Sequence, residues 1–469
     1  VRICLVTPPS PFLLDQRVFV SLGILKVGAV LERQGFSVDH VDLTGVSNYE
    51  EAIRDYPHKD AIFALTATTP QMPSAIAIRS ALAGSRTILG GPHTTLINAA
   101  AKKGNQRSAE MLSELVSIFG TVVAGDGEKS IFTAIHQRGL IDADDPKSIL
   151  WNTSKDFTDD PWPARHLVDM SSYHYTVDGR KSYSLIGQTG CPMHCNFCGG
   201  RNSPMLRQIR KRSTENIVAE MMHLHDVYGA DGAMFYDDEL NINKSIIPLM
   251  RQIANTGVDW RLRGFVKSEL FTEEQAESMY AAGFRWLLCG FEAAHPRILR
   301  NIAKNATVQD NTNMLRIAHK HGLKVKALMS VGHPAESEET ILAMRDWLLD
   351  EKPDDFDVTV ITVYPGTPYH DSAIEVAHPI YRFDTFGDSL YFESVDFNKE
   401  QAFYKGKPGE YRSYVWTDFI SRERLAQMRD EIEDEVRSKL SIPYPTAAEA
   451  VAYEHSMGMS LPTNILRTK

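Results

Sequence analysis

Residues Ser182–Gly200 read SYSLIGQTGCPMHCNFCGG, and this stretch decides both the fold and the chemistry of the 469-residue chain. An apolar, strand-like run ends at Gly190 and opens into a loop carrying Cys191, Cys195 and Cys198. Thiolates crowded onto one short loop do not easily pair as disulfides, but they converge readily on a metal. A closed zinc site takes four ligands and a structural iron–sulfur cluster takes four cysteines. The remaining two of the five cysteines, Cys4 and Cys289, lie far away inside the apolar runs ICLV and WLLCGF. The arithmetic favours an incomplete cluster, with one iron left open for chemistry.

Downstream of Ser182, strands alternate with helices. The strands are SYSLIGQTG, GAMFYDDEL, DWRLRGFV, RWLLCGFE, KVKALMSVGHP and FDVTVITVYPG; the helices include TENIVAEMMHLHDVYG and TEEQAESMYAAG, each with a Thr N-cap ahead of acidic residues. Six βα units predict a partial (β/α)6 barrel over 181–385, with the cysteine loop at the strand-end face where βα barrels gather function. Upstream, RICLVTPP, VDHVDL, DAIFALTAT, RTILGGPH and TVVAGDGE alternate with helices such as SLGILKVGAVLERQGF. That pattern predicts an α/β, doubly wound, Rossmann-like domain over 1–145. Ligands of such sheets sit outside the carboxyl ends of the strands. Those ends are Thr66–Thr69, Gly90–His93 and Gly125–Glu128, with Thr66, Gly90, Gly91, Pro92, His93, Gly125 and Gly127 as candidate contacts. Tight turns also select Gly and Pro, and an isolated His93 reads more readily as a hydrogen-bonding turn residue than as a ligand. Residues 146–180 read as a linker, and 386–469 as a small, α-rich C-terminal region.

The Cys-x-x-x-Cys-x-x-Cys loop, with Phe197 before its last cysteine and βα repeats behind it, resembles the radical S-adenosylmethionine (SAM) superfamily. The resemblance implies that Cys191, Cys195 and Cys198 hold a 4Fe-4S cluster and that SAM chelates the open iron. It implies cofactor contacts from Phe197, from Asp237, Asp238 and Glu239 (SAM ammonium), from Glu292, and from Ser330 near adenine. Arg300 and Lys304, one helical turn apart, are candidates for the SAM carboxylate, or else form a solvated basic helix face. Ala293 stands where the family usually has serine. Arg261, Arg263 and Lys267 face either the pocket or solvent. The upstream domain, with GGPHTT and GDGE, resembles the cobalamin-binding domain that precedes many radical SAM barrels, although no Asp-x-His-x-x-Gly is present.

Three functions are compatible with these residues. The first is a cobalamin-dependent radical SAM C-methyltransferase acting on a small molecule. The second is a cobalamin-free radical SAM dehydratase, epimerase or rearrangement enzyme. It needs a proton donor or acceptor, for which Glu239, His333, Tyr364 and His370 are candidates. The third is a zinc-stabilised binding module with His194 as a fourth ligand. A net charge of −10 argues against a surface that coats nucleic acid. No apolar run reaches the roughly 18 residues of a membrane span, and the start VRICLVTPPS shows no secretory signal. The expected setting is the reducing cytoplasm, with a flavodoxin or reductase as electron donor by family analogy.

Overall fold

The computed structural model describes residues 1–443 apart from 12, 14, 402 and 404–411; beyond 443 it describes the backbone of 449–450 and 458–459. Six parallel strands form the first sheet: β1 (Arg2–Thr7), β2 (Ser37–Asp42), β3 (Ile62–Thr66), β4 (Arg86–Gly90), β5 (Thr121–Ala124) and β6 (Gly139–Asp142). Their spatial order is β2-β1-β3-β4-β5-β6. The order reverses between β1 and β3, which opens a crevice at the strand ends. Alternate residues of β1 enter opposite cores. Ile3 and Leu5 pack on the helix Leu22–Arg33, whereas Cys4 and Val6 pack with Ile78 and Leu115 from helices on the other face. A strand buried on both faces therefore reads as an unbroken apolar run.

The second sheet holds β7 (Arg180–Leu185), β8 (Gly232–Phe235), β9 (Arg261–Phe265), β10 (Phe284–Glu292), β11 (Lys324–Val331) and β12 (Asp355–Val360). They lie side by side in sequence order and are parallel throughout, with Thr176–Val177 added antiparallel beside β7. This is the expected open (β/α)6 barrel. Its free edge, β12, is closed by the helix Arg422–Leu440. Glu433 accepts from the Val358 N–H (2.8 Å), Arg429 donates to the Val358 carbonyl (2.7 Å) and Arg437 to that of Phe356 (2.6 Å). Buried charges on one helix thus satisfy the backbone groups that an edge strand leaves unpaired. Among the described residues, no helix is long and apolar enough to cross a membrane.

The two sheets are joined as well as tethered. The loop after β1 sends Val18 and Phe19 into the barrel, where Phe19 meets Tyr175 and Tyr236 with ring centroids 4.4 and 5.5 Å apart. The linker contributes a short helix, Ser154–Asp159. Among the described residues, the longest element of the C-terminal region is the helix Arg422–Leu440, in keeping with its expected α-rich composition. Strands Ile374–Ala377, Ile380–Thr385, Asp388–Glu393 and Val415–Trp416 form an antiparallel sheet before the last helix. The expected boundary at 385/386 falls inside one of its hairpins, because Phe386–Gly387 is the two-residue turn between paired strands.

Candidate active site

The cysteine loop is shaped before any metal arrives. Gln188–Thr189 pairs antiparallel with Arg210–Lys211, drawing the ends of the loop together. Gly190 is required at the pinch: its φ is +92°, and a Cβ there would lie 2.1 Å from the Gln208 carbonyl oxygen. The loop is then pinned through its backbone, Cys191 N–H to Leu206 O (2.8 Å) and Asn196 N–H to Ile302 O (2.8 Å). Burial, with smaller contributions from nearby carboxylates and neighbouring thiols, pushes Cys191 up to about 11 and Cys198 up to about 12. A bound metal is what ionises such thiols. Among the described residues, no three His, Cys, Asp or Glu side chains converge tightly enough for a single ion. Three cysteines on one short loop are soft donors of the kind that iron–sulfur clusters take. His194 is exposed and its ring lies 3.3–3.4 Å from the Arg207 guanidinium, so it does not complete a zinc site.

The acidic triplet after β8 splits into two roles. Asp237 accepts from the N–H groups of Gly187 (2.7 Å) and Gln188 (3.0 Å), and Asp238 accepts from Gly190 N–H (2.7 Å). Both carboxylates help to hold the strand-to-loop turn, Asp237 through both oxygens and the exposed Asp238 through one. Glu239 is different. Its Oε2 is buried without a hydrogen-bond partner, and burial raises its carboxyl to about 7 against the pull of Lys304 and Lys267. A buried orphan carboxylate oxygen is costly until a cation or donor reaches it. The ammonium of an amino-acid-like ligand fits that need.

Glu292 ends β10 at a register shift, with φ +65°. A non-glycine residue in this region costs on the order of 1–3 kcal/mol and persists where its surroundings impose it. Here Ser330 Oγ donates to Glu292 Oε2 (2.7 Å) and Lys304 Nζ lies 3.7 Å from Oε1. Burial pulls the Lys304 ammonium down, but Glu292, Cys195 and Glu239 together hold it above its ordinary value. Lys304 is thus a buried cation beside the cluster loop. Arg300, one turn earlier, points away: its side chain is 53% exposed, 3.7 Å from Asp388 and stacked over Phe386. Arg300 sits on the helix Pro296–Asn301 and faces outward, whereas Lys304 lies past the helix end and is buried beside Glu292.

Ser330 Oγ also meets His333 Nε2 (2.8 Å), and His333 Nδ1 meets Tyr369 OH (3.1 Å). Burial and Lys304 depress His333 to about 3, so it is a neutral link between Ser330 and Tyr369. His370 lies at the domain seam, hydrogen-bonded to Asp371 (2.9 Å). Phe197, Glu292, Ser330 and Tyr364 line one cavity of about 320 Å³ inside the barrel, with Asp357 and Thr362 from β12 and the loop after it. Tyr364 stacks on Phe397 with centroids 5.7 Å apart. Lys267, undecided from sequence, is 3% exposed, faces this interior and pairs with Glu269 (2.5 Å). Arg263 is buried beside Tyr175 OH (3.4 Å), and Arg261 pairs outside with Asp259 (2.5 Å).

A second cavity, about 340 Å³, opens at the carboxyl ends of β1, β3, β4 and β5 and is shared with Ile186, Thr189 and Arg212 of the barrel side. Thr66, Gly90, Gly91, Pro92, Gly125 and Gly127 line it. A Cβ on Gly91 would stand 2.8 Å from the Ala67 backbone, and one on Gly125 2.5 Å from Ala143. His93 does not line the cavity. It is buried against Thr69 (Nδ1 to Oγ1, 3.0 Å), with burial depressing it to about 3, which corrects its expected cofactor contact. Arg210 binds Asp126 through both guanidinium nitrogens, one of them at 3.3 Å, and lies over Trp151 (4.7 Å) and Phe157 (5.2 Å). Asp126 belongs to the cavity loop and Arg210 to the hairpin that closes the cysteine loop. Glu128, at one of the expected strand ends, lines this cavity together with Lys26 and Phe157, which the sequence did not single out.

The chain thus sets a Rossmann-like domain in front of a partial (β/α)6 barrel whose first strand leads into a loop with three cysteines. Residues 185–348 match the sequence profile of the radical SAM superfamily. A methyltransferase of Pyrococcus horikoshii, itself uncharacterised, is 26% identical over 335 residues, 67% of this chain and 69% of that protein. The bacteriochlorophyllide d C-12(1)-methyltransferase of Chlorobaculum tepidum is 24% identical over half of this chain; the match spans 57% of that protein's length. Among solved structures, the radical SAM methyltransferase TsrM of Kitasatospora setae, with cobalamin and a 4Fe-4S cluster bound, superposes with a TM-score of 0.61 over 98% of this chain and 91% of its own, at 18% identity.

Proposed function

We propose that this protein is a cobalamin-dependent radical SAM methyltransferase acting on a carbon of a small molecule. The observation that carries the reading is the cavity at the Rossmann strand ends, which opens toward the cysteine-loop side of the barrel. Similarity to two proteins named as methyltransferases supports it. When bound, the cluster and SAM supply a carbon-centred 5′-deoxyadenosyl radical, and cobalamin supplies a methyl group. Cys191, Cys195 and Cys198 hold the cluster. Glu239 receives the SAM ammonium at its orphan oxygen, and Lys304, poised by Glu292, receives the carboxylate. Ser330 keeps Glu292 in its strained conformation, and His333 with Tyr369 holds Ser330 in turn. Phe197 and Tyr364 present apolar faces that keep water from the cavity. Gly91 and Gly125, packed against the Ala67 and Ala143 backbone, would shape the floor of the cavity that holds cobalamin. Five free cysteines suit a reducing cytoplasmic setting.

The test is anaerobic purification and reconstitution, followed by incubation with SAM carrying a labelled methyl group. Broad absorbance near the violet, a corrinoid band and a labelled product that requires cobalamin are expected. Turnover without cobalamin selects the dehydratase or rearrangement chemistry, and a colourless zinc protein overturns both.

A further inference from the structure

The helix Pro92–Lys102 follows β4 and is bound tightly to its own sheet. In its first turn, Thr94 Oγ1 donates to the Val123 carbonyl (2.6 Å), and Thr95 Oγ1 accepts the Gly125 N–H (2.9 Å). Farther along, Asn98 and Lys102 hold the Asp142 carboxylate at 3.1 and 2.7 Å. The helix is therefore set rigidly against the Rossmann cavity, which Gly91, Pro92 and Thr95 line. Leu96 is half-buried and meets two loops of the barrel instead, each at a glycine. A Cβ on Gly199, the residue after Cys198, would stand 2.9 and 3.1 Å from the two Leu96 methyl groups. One on Gly366, in the loop after β12, would stand 3.1 Å from Leu96 Cβ and 2.9 Å from its carbonyl oxygen. Gly366 has φ +85°, which by itself selects glycine. Gly199 does not lie in the left-handed region, so what its missing Cβ provides is room for Leu96. Gly199 continues the cysteine loop, and the Gly366 loop carries Tyr364 to the barrel cavity. Asn202 Nδ2 donates to Asp371 Oδ2 (2.7 Å) and Asp371 Oδ1 accepts the Gly366 N–H (3.1 Å), so the two loops are also tied to each other.

Groups packed this closely do not move independently, because a dense interior transmits displacement instead of absorbing it. We propose that Leu96 is a positioning residue that couples the two cavities. It sets the cysteine loop against the Rossmann cavity, so that a corrinoid seated on Gly91, Pro92 and Thr95 and a SAM molecule beside the cysteine loop alter each other's binding. The proposal rests on the cobalamin-dependent radical SAM reading. Coupling of this kind is reciprocal, and each ligand changes the other's affinity by the same factor. Leu96 itself lines neither of the two cavities, so its truncation leaves the contacts of each ligand in place.

The experiment uses the full chain with its cluster reconstituted and oxidised, and no reductant, so that SAM binds without being cleaved. Calorimetry follows hydroxocobalamin titrated with and without saturating SAM, and SAM titrated with and without hydroxocobalamin. Wild type is expected to give one and the same factor of at least ~5 in both directions. Leu96→Ala should bind each ligand alone within ~3-fold of wild type, with the factor reduced below ~2. Leu96→Met, which keeps the bulk, should retain the factor, and Leu96→Ala/Gly199→Ala, which returns a methyl group to the gap, should regain part of it. Gly199→Ala alone crowds Leu96 from the barrel side and should change the factor at least ~2-fold, which keeps the test decisive should Leu96→Ala not fold. Equal factors in wild type and Leu96→Ala, the outcome of a purely structural role, or a wild-type factor below ~2, overturn the assignment. A chain that takes up no cluster fails at the radical SAM reading instead, and one that takes up the cluster but no hydroxocobalamin fails at the cobalamin reading.

Discussion

Replacing Arg210 by Met tests the joint between the two domains. Arg210 and Asp126 are almost fully enclosed, with side-chain exposures of 4% and 10%, and burial holds the Asp126 carboxyl above its ordinary range even with the guanidinium in place. Breaking a buried pair from one side leaves an uncompensated charge, at a cost of about 3–5 kcal/mol. The side chain of Met keeps much of the packing against Trp151 and Phe157, so the electrostatic part dominates. Asp126 then escapes part of the cost by taking a proton. Its folded pKa rises further above the unfolded value, the folded state binds more protons, and stability falls as pH rises between those two values. The slope is about 1.4 kcal/mol per pH unit while the carboxyl is protonated only in the folded state. Hydrogen exchange of peptides spanning 121–134 and 205–212 reads the local opening energy. At pH 8, R210M is expected to exchange these peptides ~100-fold or more faster after correction for intrinsic rates, with a smaller effect at pH 6. Adding Asp126→Asn should restore most of the protection, since neutralising both partners removes the orphan charge. A penalty that does not vary with pH, or a double variant as costly as the sum of the singles, would refute the account.

Changing Cys191, Cys195 or Cys198 to Ala should abolish cluster absorbance and SAM cleavage, while Cys289→Ala, buried in the barrel core at 1% exposure, should preserve both. Gly91→Ala should lower corrinoid retention on gel filtration at least ~10-fold with cluster content unchanged, because its Cβ meets the Ala67 backbone at 2.8 Å in a positive-φ conformation. His93, neutral in the fold with its pKa depressed to about 3, contributes stability that is fully present above pH ~6.5 and is lost as pH falls toward 3. By pH 5 the loss is about 2 kcal/mol, and His93→Gln should flatten this part of a denaturation-versus-pH curve. Lys304→Met should weaken SAM binding by calorimetry at least ~10-fold, whereas Arg300→Met should leave it within twofold.

Sequence periodicity was enough for the two sheets, because strands buried on both faces must be apolar throughout and the helices between them must show one apolar stripe. Spacing was enough to single out the three cysteines. Within each motif, however, the division of labour was not legible. Asp237, Asp238 and Glu239 are chemically alike in a row; what separates them is that the first two meet backbone N–H groups of the turn after β7 and the third meets none. Arg300 and Lys304 share a helix face in a count of residues, yet one is half-exposed, 3.7 Å from the buried Asp388, and the other is buried beside Glu292. The C-terminal sheet was missed because its short strands, such as IEVA with every residue exposed, lack the alternation that marks a half-buried strand.

The sequence by itself determined the ligand count, since three cysteines on one loop and two remote ones leave a cube of iron one ligand short. It also determined the order of domains, because local apolar patterns need no partner to be read. Only the tertiary structure decided which charged side chains are buried beside the cysteine loop and that the Rossmann cavity adjoins that loop. Those depend on contacts between residues far apart in the chain, such as Asp126 with Arg210 and Glu292 with Ser330, whose energies come from burial that no single segment creates alone.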